Sequence, residues 1–412
     1  VIFREPTLAT TLDQTLHRLA TWNRPVRLIA TGGGTGGHTY PAITTIRATR
    51  ELLSSAGVEL DVLYVGSAGG LEARVAEQEQ LPFQAVSTGK LRRAANPVRM
   101  ISRENLRDVG KLARGIVEAR RVVRAFRPDV VLSTGGYVAV PVGLAAKSAG
   151  AALLVHEQTT RLGLANRVLL RRATTIALSS PASLELLPAG VRARAVVTGN
   201  PIRTELLHGD AGRAVTALGW AGWDAARPTV YVTGGAQGAV QINRLVAAVL
   251  ETLLAQANVV HQCGASSLTE LTHRAEQLPP ELAARYRVVE FVGSELPDVL
   301  ALADVVVSRS GAGTLAELTA LGKPSVLIPL MPTSGNEQEH NARYLQQAGA
   351  ARALLGERPT TEDLVRALDD LIGDAQLRTQ MAAQAAQLGR PDAARNLATC
   401  LLAETQPSLL DG

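Results

Sequence analysis

Short apolar runs alternate along this chain with stretches in which apolar residues recur at helical spacing. VRLIA, DVLYV, DVVLS, ALLVHE, TIALS and AVVTG fall in the first half, and TVYVTG, NVVHQC, RVVEFV, DVVVS and SVLIPL in the second. Each is rich in Val, Ile and Leu and bounded by Gly, Pro or polar residues. That is the pattern of strands buried on both faces of a parallel sheet, with crossover helices between them. It predicts an α/β protein. The series also restarts: RLIATGGGTGG near position 30 and TVYVTGGAQGA near position 235 both run strand, paired glycines, a further glycine, helix. Two doubly wound halves are expected, residues 26–202 and 203–389, joined near Gly199–Leu207 and facing a cleft. A length of 412 residues agrees with two domains. RPDAARNLATCLLAE, after Gly389, reads as a terminal helix whose packing partner the pattern leaves open, and residues 1–25 as an extension with one short helix and no assigned function.

Composition narrows the class. Hydrophobic residues at 46% and charged residues at 19% describe a globular protein, and aromatics at 3% argue against a stacking surface for nucleic acid. Cys263 and Cys400 have neither metal-ligand spacing nor partners for a disulfide framework, so a reducing cytoplasm is the default. The first 25 residues lack the apolar core of a secretory signal and no 18 apolar residues run together, so neither export nor a membrane span is expected. The net charge of +5 is concentrated: Lys90–Arg127 holds twelve Lys or Arg against three acids, a local +9, leaving −4 for the rest. Arg99, Arg103, Arg107, Lys111 and Arg114 recur at helical spacing, with Leu106, Val109, Leu112, Ile116 and Val123 turned elsewhere. The commoner meaning is a solvated helix face. The sharper one is a surface for anionic lipid headgroups, with Leu91, Met100 and Ile101 as shallow apolar contacts.

Three loops carry the candidate chemistry: TGGGTGGH, TGGAQG and SRSGAGTLAE. Each follows a strand and opens a helix, where unpaired amides and the helix dipole favour an anion and glycine lets it come close. The first satisfies G-x-G-x-x-G through Gly32, Gly34 and Gly37, but a nicotinamide site also needs an acid at the end of the second strand, and DVLYVGSAGG ends in Gly66 and Ser67. No glycine loop continues into Lys-Ser or Lys-Thr, which excludes a P-loop. Thr314 and Glu317 have the spacing of a capping box, so Glu317 closes its own helix unless it accepts ribose hydroxyls. His38, at a helix start, is either a neutral ring able to accept a proton or a local backbone partner.

Taken in order, GGGTGGHTYPA, LSTGGYVAVPVGLAA, LLVHEQTTRLGLANR, VVTGNPIR, VTGGAQGAVQIN, DVVVSRSGAGTLAELTALGKPSVLIPL and NEQEHNARYLQQAGAA resemble the MurG family of glycosyltransferases, from about residue 26 to the last helix. The resemblance implies a GT-B fold, with the acceptor in the first half, the UDP-sugar in the second and the terminal helix returning to the first. It implies transfer of N-acetylglucosamine from UDP-GlcNAc to the C4 hydroxyl of the lipid-linked pyrophosphate acceptor lipid I, at the cytoplasmic face of the membrane. It places Thr35, Gly36 and Gly37 near donor and acceptor pyrophosphate, His38 as general base, Arg203 on the donor and the Val292 backbone on uracil. Ala312, Gly313, Thr314, Leu315 and Ala316 fall where the diphosphate is held, Glu317 on the ribose and Gln338 near the sugar. Three positions depart from the family pattern: Thr159 ends HEQT where HEQN is usual, Ala236 replaces the serine of GGSQG, and Glu337 stands where glutamine or histidine is usual. No D-x-D occurs in the chain, so a metal-independent inverting transfer without a cofactor is expected, with helix ends and Arg203 taking up the leaving group's charge. A UDP-N-acetylglucosamine 2-epimerase, a relative acting on a secondary metabolite and a silent UDP-sugar sensor are the rival readings.

Overall fold

The computed structural model describes residues 5–89, 103–332 and 336–405, and they form two compact units: residues up to Pro201 together with those from Asp392, and Ile202–Pro391. The first holds a seven-stranded parallel sheet: β1 Val26–Thr31, β2 Leu60–Gly66, β3 Phe83–Ala85, β4 Val130–Ser133, β5 Ala152–Glu157, β6 Thr175–Leu178 and β7 Ala195–Val197, in the order β3-β2-β1-β4-β5-β6-β7. The second holds six parallel strands: β8 Thr229–Thr233, β9 Asn258–Gln262, β10 Tyr286–Val289, β11 Val305–Ser308, β12 Ser325–Leu327 and β13 Arg352–Ala353, in the order β10-β9-β8-β11-β12-β13. In each sheet the winding reverses at the centre, between β1 and β4 and between β8 and β11. Ligands of open α/β sheets collect beyond the strand ends at such points.

The apolar runs form strands because each sheet is covered on both faces. In the first unit Ile29, Val65, Val131, Leu153 and Ile176 pack into one core cluster, and their neighbours Leu28, Tyr64, Leu132, Leu154 and Ala177 into another. The second unit alternates likewise, Val230, Val259, Val305 and Val307 against Tyr231, Val260 and Val306. β3 and β13 were not among the predicted runs; FQA and RA lie at sheet edges and are too short and too polar to show a pattern.

The terminal helix, Ala393–Ala403, packs in the first unit, with Leu397 and Leu401 in the core beside β1 and β4. The N-terminal residues are more than an extension. Their helix, Glu5–Ala20, buries Leu12 and Leu19 against Leu402, Leu52 and Leu53, and Arg18 donates to the Thr405 carbonyl at 2.9 Å, closing the end of the terminal helix. Each buried leucine contributes roughly 2 kcal/mol.

The basic region lies partly on the helix Arg103–Phe126, where Lys111 and Arg114 are exposed and Val123 is buried. Leu91, Arg99, Met100 and Ile101 lie outside the described residues, as do the side chains of Arg103, Leu106, Arg107 and Val109. Among the described residues no helix is long and apolar enough to cross a membrane.

Candidate functional site

In the first unit the loops after β1, β4 and β5 build one constellation around His38. The helix Gly36–Ser55 starts with Thr35 as its N-cap, so His38 sits in the first turn. Its Nδ1 lies 2.9 Å from the Thr134 carbonyl and 3.3 Å from Gln158 Oε1. Both oxygens only accept, so Nδ1 carries the proton and the neutral ring keeps its lone pair on Nε2. The histidine therefore bonds local backbone through Nδ1, and Nε2 takes no part in that contact. Gly135, at φ +99, permits this: a Cβ there would stand 3.1 Å from the imidazole Nδ1 and Cε1.

A buried relay fixes the arrangement. Gln158 Nε2 donates to the same Thr134 carbonyl at 2.6 Å and approaches His156 Nδ1 at 3.2 Å, while His156 Nε2 donates to the Gly199 carbonyl at 3.0 Å. His156 is fully buried, and desolvation pushes its pKa down to about 4 despite the Gly199 bond, with the nearby His38 also lowering it. Glu157, 2% exposed, accepts from the Thr159 amide and hydroxyl, the Gly163 amide and Asn166 Nδ2, at 2.8–3.1 Å. The Thr159 hydroxyl thus shapes its own loop and is not turned out to a ligand.

The first glycine loop holds a group that sequence reasoning missed. Glu72, wholly buried in the first turn of the helix Leu71–Gln78, accepts from the Gly34 amide at 3.1 Å, the Ser67 amide at 3.0 Å and the Ser67 hydroxyl. Burial would raise its carboxyl, but those donors outweigh it and hold it below the ordinary value. An acid does therefore lie beyond β2, supplied from the next helix, and it faces the loop rather than a ribose. A Cβ on Gly33 would come within 2.5 Å of it. The sequence shows only an acid six residues past the end of β2, with nothing to indicate that the chain folds it back onto the loop. Gly36 and Gly37 remain at the helix start, where first-turn amides have no intrahelical acceptor and the Thr35 side chain supplies none.

In the second unit the loops after β8 and β11 meet at the other reversal. The helix Ala312–Ala320 begins after Gly311, with no side-chain cap. This corrects the capping-box expectation: Thr314 is the third residue inside the helix, too far along to be its N-cap, and Glu317 accepts instead from Arg203 Nη2 at 3.2 Å. Burial raises the Glu317 carboxyl above its usual range and Arg203 opposes that. Ala312, Gly313, Thr314 and Ala316 line this helix start half-exposed. The Leu315 side chain is in the core and its amide donates to the Gly311 carbonyl at 3.0 Å. Val292 is buried and its amide donates to Gln262 Oε1 at 3.0 Å, leaving only its carbonyl for a base. Gln262 also donates to the Gly235 carbonyl at 2.9 Å, tying the loop that carries the exposed Ala236 to the β10 end. Gln338 accepts from the Leu330 amide at 2.9 Å through Oε1, and Ser310 donates to its carbonyl at 2.7 Å. Glu337 opens the helix Glu337–Gln347, where an acid suits the dipole. Among the described residues no three His, Cys, Asp or Glu gather as a metal site.

Two parallel sheets with glycine loops at each winding reversal define a GT-B glycosyltransferase, and the family comparison agrees: the glycosyltransferase family 28 N-terminal domain matches residues 28–178 and the C-terminal domain residues 229–397. The crystal structure of Acinetobacter baumannii MurG is similar with a TM-score of 0.69 and 25% identity, covering 92% of this chain and 99% of that one. A putative UDP-N-acetylglucosamine 2-epimerase from Listeria monocytogenes shares the fold at a TM-score of 0.61 and 17% identity, over 90% of this chain and 94% of that one. A UDP-N-acetylglucosamine--N-acetylmuramyl-(pentapeptide) pyrophosphoryl-undecaprenol N-acetylglucosamine transferase of Bacillus thuringiensis is 35% identical over 90% of this chain and 97% of its own length. The chain belongs to this family of N-acetylglucosamine transferases, the MurG family.

Proposed function

We propose that this chain transfers N-acetylglucosamine from UDP-GlcNAc to the C4 hydroxyl of the N-acetylmuramyl group of lipid I, forming lipid II with inversion and without a metal ion. The reading is carried by the His38 Nδ1 bond to the Thr134 carbonyl, which leaves Nε2 as a proton acceptor at the winding reversal of the first sheet. The acceptor oxygen attacks the anomeric carbon from the face opposite UDP, its proton passes to His38 Nε2, and the breaking C–O bond leaves its electron pair on the β-phosphate. The amides at the start of the helix Ala312–Ala320, with Arg203, take up that charge. Glu317, held by Arg203, accepts from the ribose hydroxyls; Gly36, Gly37 and Thr35 face the acceptor pyrophosphate; Ala236, Gln338 and Glu337 border the donor. Because the acceptor is lipid-linked, the enzyme works peripherally at the cytoplasmic face of an anionic membrane, with the basic Lys90–Arg127 region towards it.

The test is incubation with UDP-GlcNAc and a short-chain lipid I analogue. A product heavier by one N-acetylhexosamine, formed in EDTA, is expected. Strict dependence on magnesium or manganese removes the charge assignment. Isomerised sugar from donor alone favours the 2-epimerase, whose fold is shared.

A further inference from the structure

The loop that follows Gln158 lines a pocket of about 550 Å³, within the ordinary range for ligand sites. Its walls include Arg161, Arg167 and Arg171 with Leu162, Leu186 and Val191, and no acid lines it. All three arginines are exposed, and none has a hydrogen bond or ion pair from its guanidinium among the described residues. Three like charges around one concavity repel one another unless an anion sits between them. A guanidinium offers a planar fork that fits a carboxylate in two parallel bonds.

The loop Thr159–Gly163 is the partition. Its preceding residue, Gln158, reaches His38, and its Arg161 and Leu162 line the pocket. Glu157 braces the loop through Thr159, Gly163 and Asn166, so the pocket is preformed. Gln158 and Arg161 are three positions apart, at most about 10 Å along the chain. In an N-acetylmuramyl group the peptide hangs from the lactyl ether on C3, the carbon next to the C4 hydroxyl. An acceptor with that hydroxyl at His38 therefore starts its peptide beside this partition, and five extended residues span up to roughly 17 Å.

We propose that Arg161, Arg167 and Arg171 form a subsite for the carboxylates of the acceptor's peptide, with Leu162, Leu186 and Val191 against its aliphatic side chains. The inference rests on the acceptor assignment above. A concave, walled site suits a discrete peptide; a bilayer surface needs a flat or convex one.

The experiment compares two soluble acceptor analogues, one carrying the pentapeptide and one lacking it, in wild type and in the Arg167→Ala/Arg171→Ala double variant. Both arginines are exposed, so the melting temperature is expected to hold. Wild type should show a KM for the peptide-bearing analogue lower by about tenfold or more. The double variant should lose that preference while kcat and the KM for UDP-GlcNAc stay within about twofold, and Arg167→Lys/Arg171→Lys should restore part of it. An unchanged preference in the alanine variant overturns the proposal. So does an unchanged preference accompanied by lost binding to anionic phosphatidylglycerol vesicles, which assigns the arginines to the membrane. If wild type turns over neither analogue, the transferase reading falls on its own account. Calorimetric titration of the peptide-bearing analogue then still decides the pocket: weaker binding to the double variant upholds it and equal binding rejects it.

Discussion

Lowering the pH from 7 to 5 should destabilise the first unit through one buried ring. His156 has both nitrogens committed: Nε2 donates to the Gly199 carbonyl at 3.0 Å and Nδ1 accepts from Gln158 Nε2 at 3.2 Å. A second proton on the ring would face the amide NH2 of Gln158, donor against donor, inside a site with no exposed surface. The folded protein therefore keeps this histidine neutral down to about pH 4, whereas the unfolded chain protonates it near 6.5. Below 6.5 the unfolded state binds the extra proton, so stability from this group is intact above 6.5, falls as pH drops and levels off below about 4. Across the 1.5 units from 6.5 to 5, at 1.36 kcal/mol per unit, the loss is about 2 kcal/mol. The assay is urea unfolding at pH 7 and pH 5, followed by Trp22 in a Trp220→Phe/Trp223→Phe background so that only the first unit reports. His156→Gln should lower stability at pH 7 but lose about 2 kcal/mol less than its parent on acidification. Equal losses in the two proteins would refute the reasoning, because carboxylates common to both would then account for the whole acid effect.

Three further outcomes follow from the geometry. His38→Ala should lower kcat by roughly a hundredfold or more with UDP affinity nearly unchanged, measured by steady-state kinetics and calorimetry; unaltered turnover rejects the base role. Glu317→Ala should weaken UDP binding with little change in melting temperature, since its helix has no side-chain cap to lose; a drop in melting temperature alone would return Glu317 to a purely structural role. Gly33→Ala sets a methyl 2.5 Å from the Glu72 carboxyl and should destabilise the first unit by about 1–3 kcal/mol in denaturant unfolding, the usual range for overpacking; wild-type stability would mean the loop is not clamped on Glu72.

The strands were legible because a parallel sheet covered on both faces demands unbroken apolar runs, and runs such as VVVS and ALLVHE are short and bounded by polar residues or glycine. β3 and β13 were not, since FQA and RA each contain a polar residue and form no apolar run, whereas the equally short edge strand β7 keeps AVV. The glycine loops were readable as turns, but not what they hold: Glu72 is brought to Gly34 by a fold-back from β2 into the next helix, and spacing alone does not reveal such a contact. The capping-box spacing of Thr314 and Glu317 misled for a related reason. A threonine three residues before a glutamate marks a helix start only if the helix begins there, and Gly311 had already begun it. The second-unit relay from Gln262 to Val292 and Gly235 joins residues from three strand ends, which only the sheet order brings together.

The duplicated motif is used differently in its two copies, and that difference bears on which unit takes the donor. In the first, the Gly34 amide is already spent on an ionised, wholly buried carboxylate, and only the helix start from Gly36 stays open. In the second, among the described residues no carboxylate accepts from the Gly235 amide, which donates to the Thr233 hydroxyl at 3.0 Å, and Ala236 and Gln237 are exposed. A nucleotide diphosphate laid across Gly33 and Gly34 would meet the fixed negative charge of Glu72, which leaves an anion only the helix start at Thr35–Gly37 in the first unit, whereas the second loop and the uncapped helix at Gly311 both offer their amides. Glu72→Gln sharpens the argument. Removing the charge should leave UDP affinity unchanged if the donor belongs to the second unit, and tighten it if a diphosphate normally sits against the first loop; calorimetric titration of UDP onto the two proteins tells these apart.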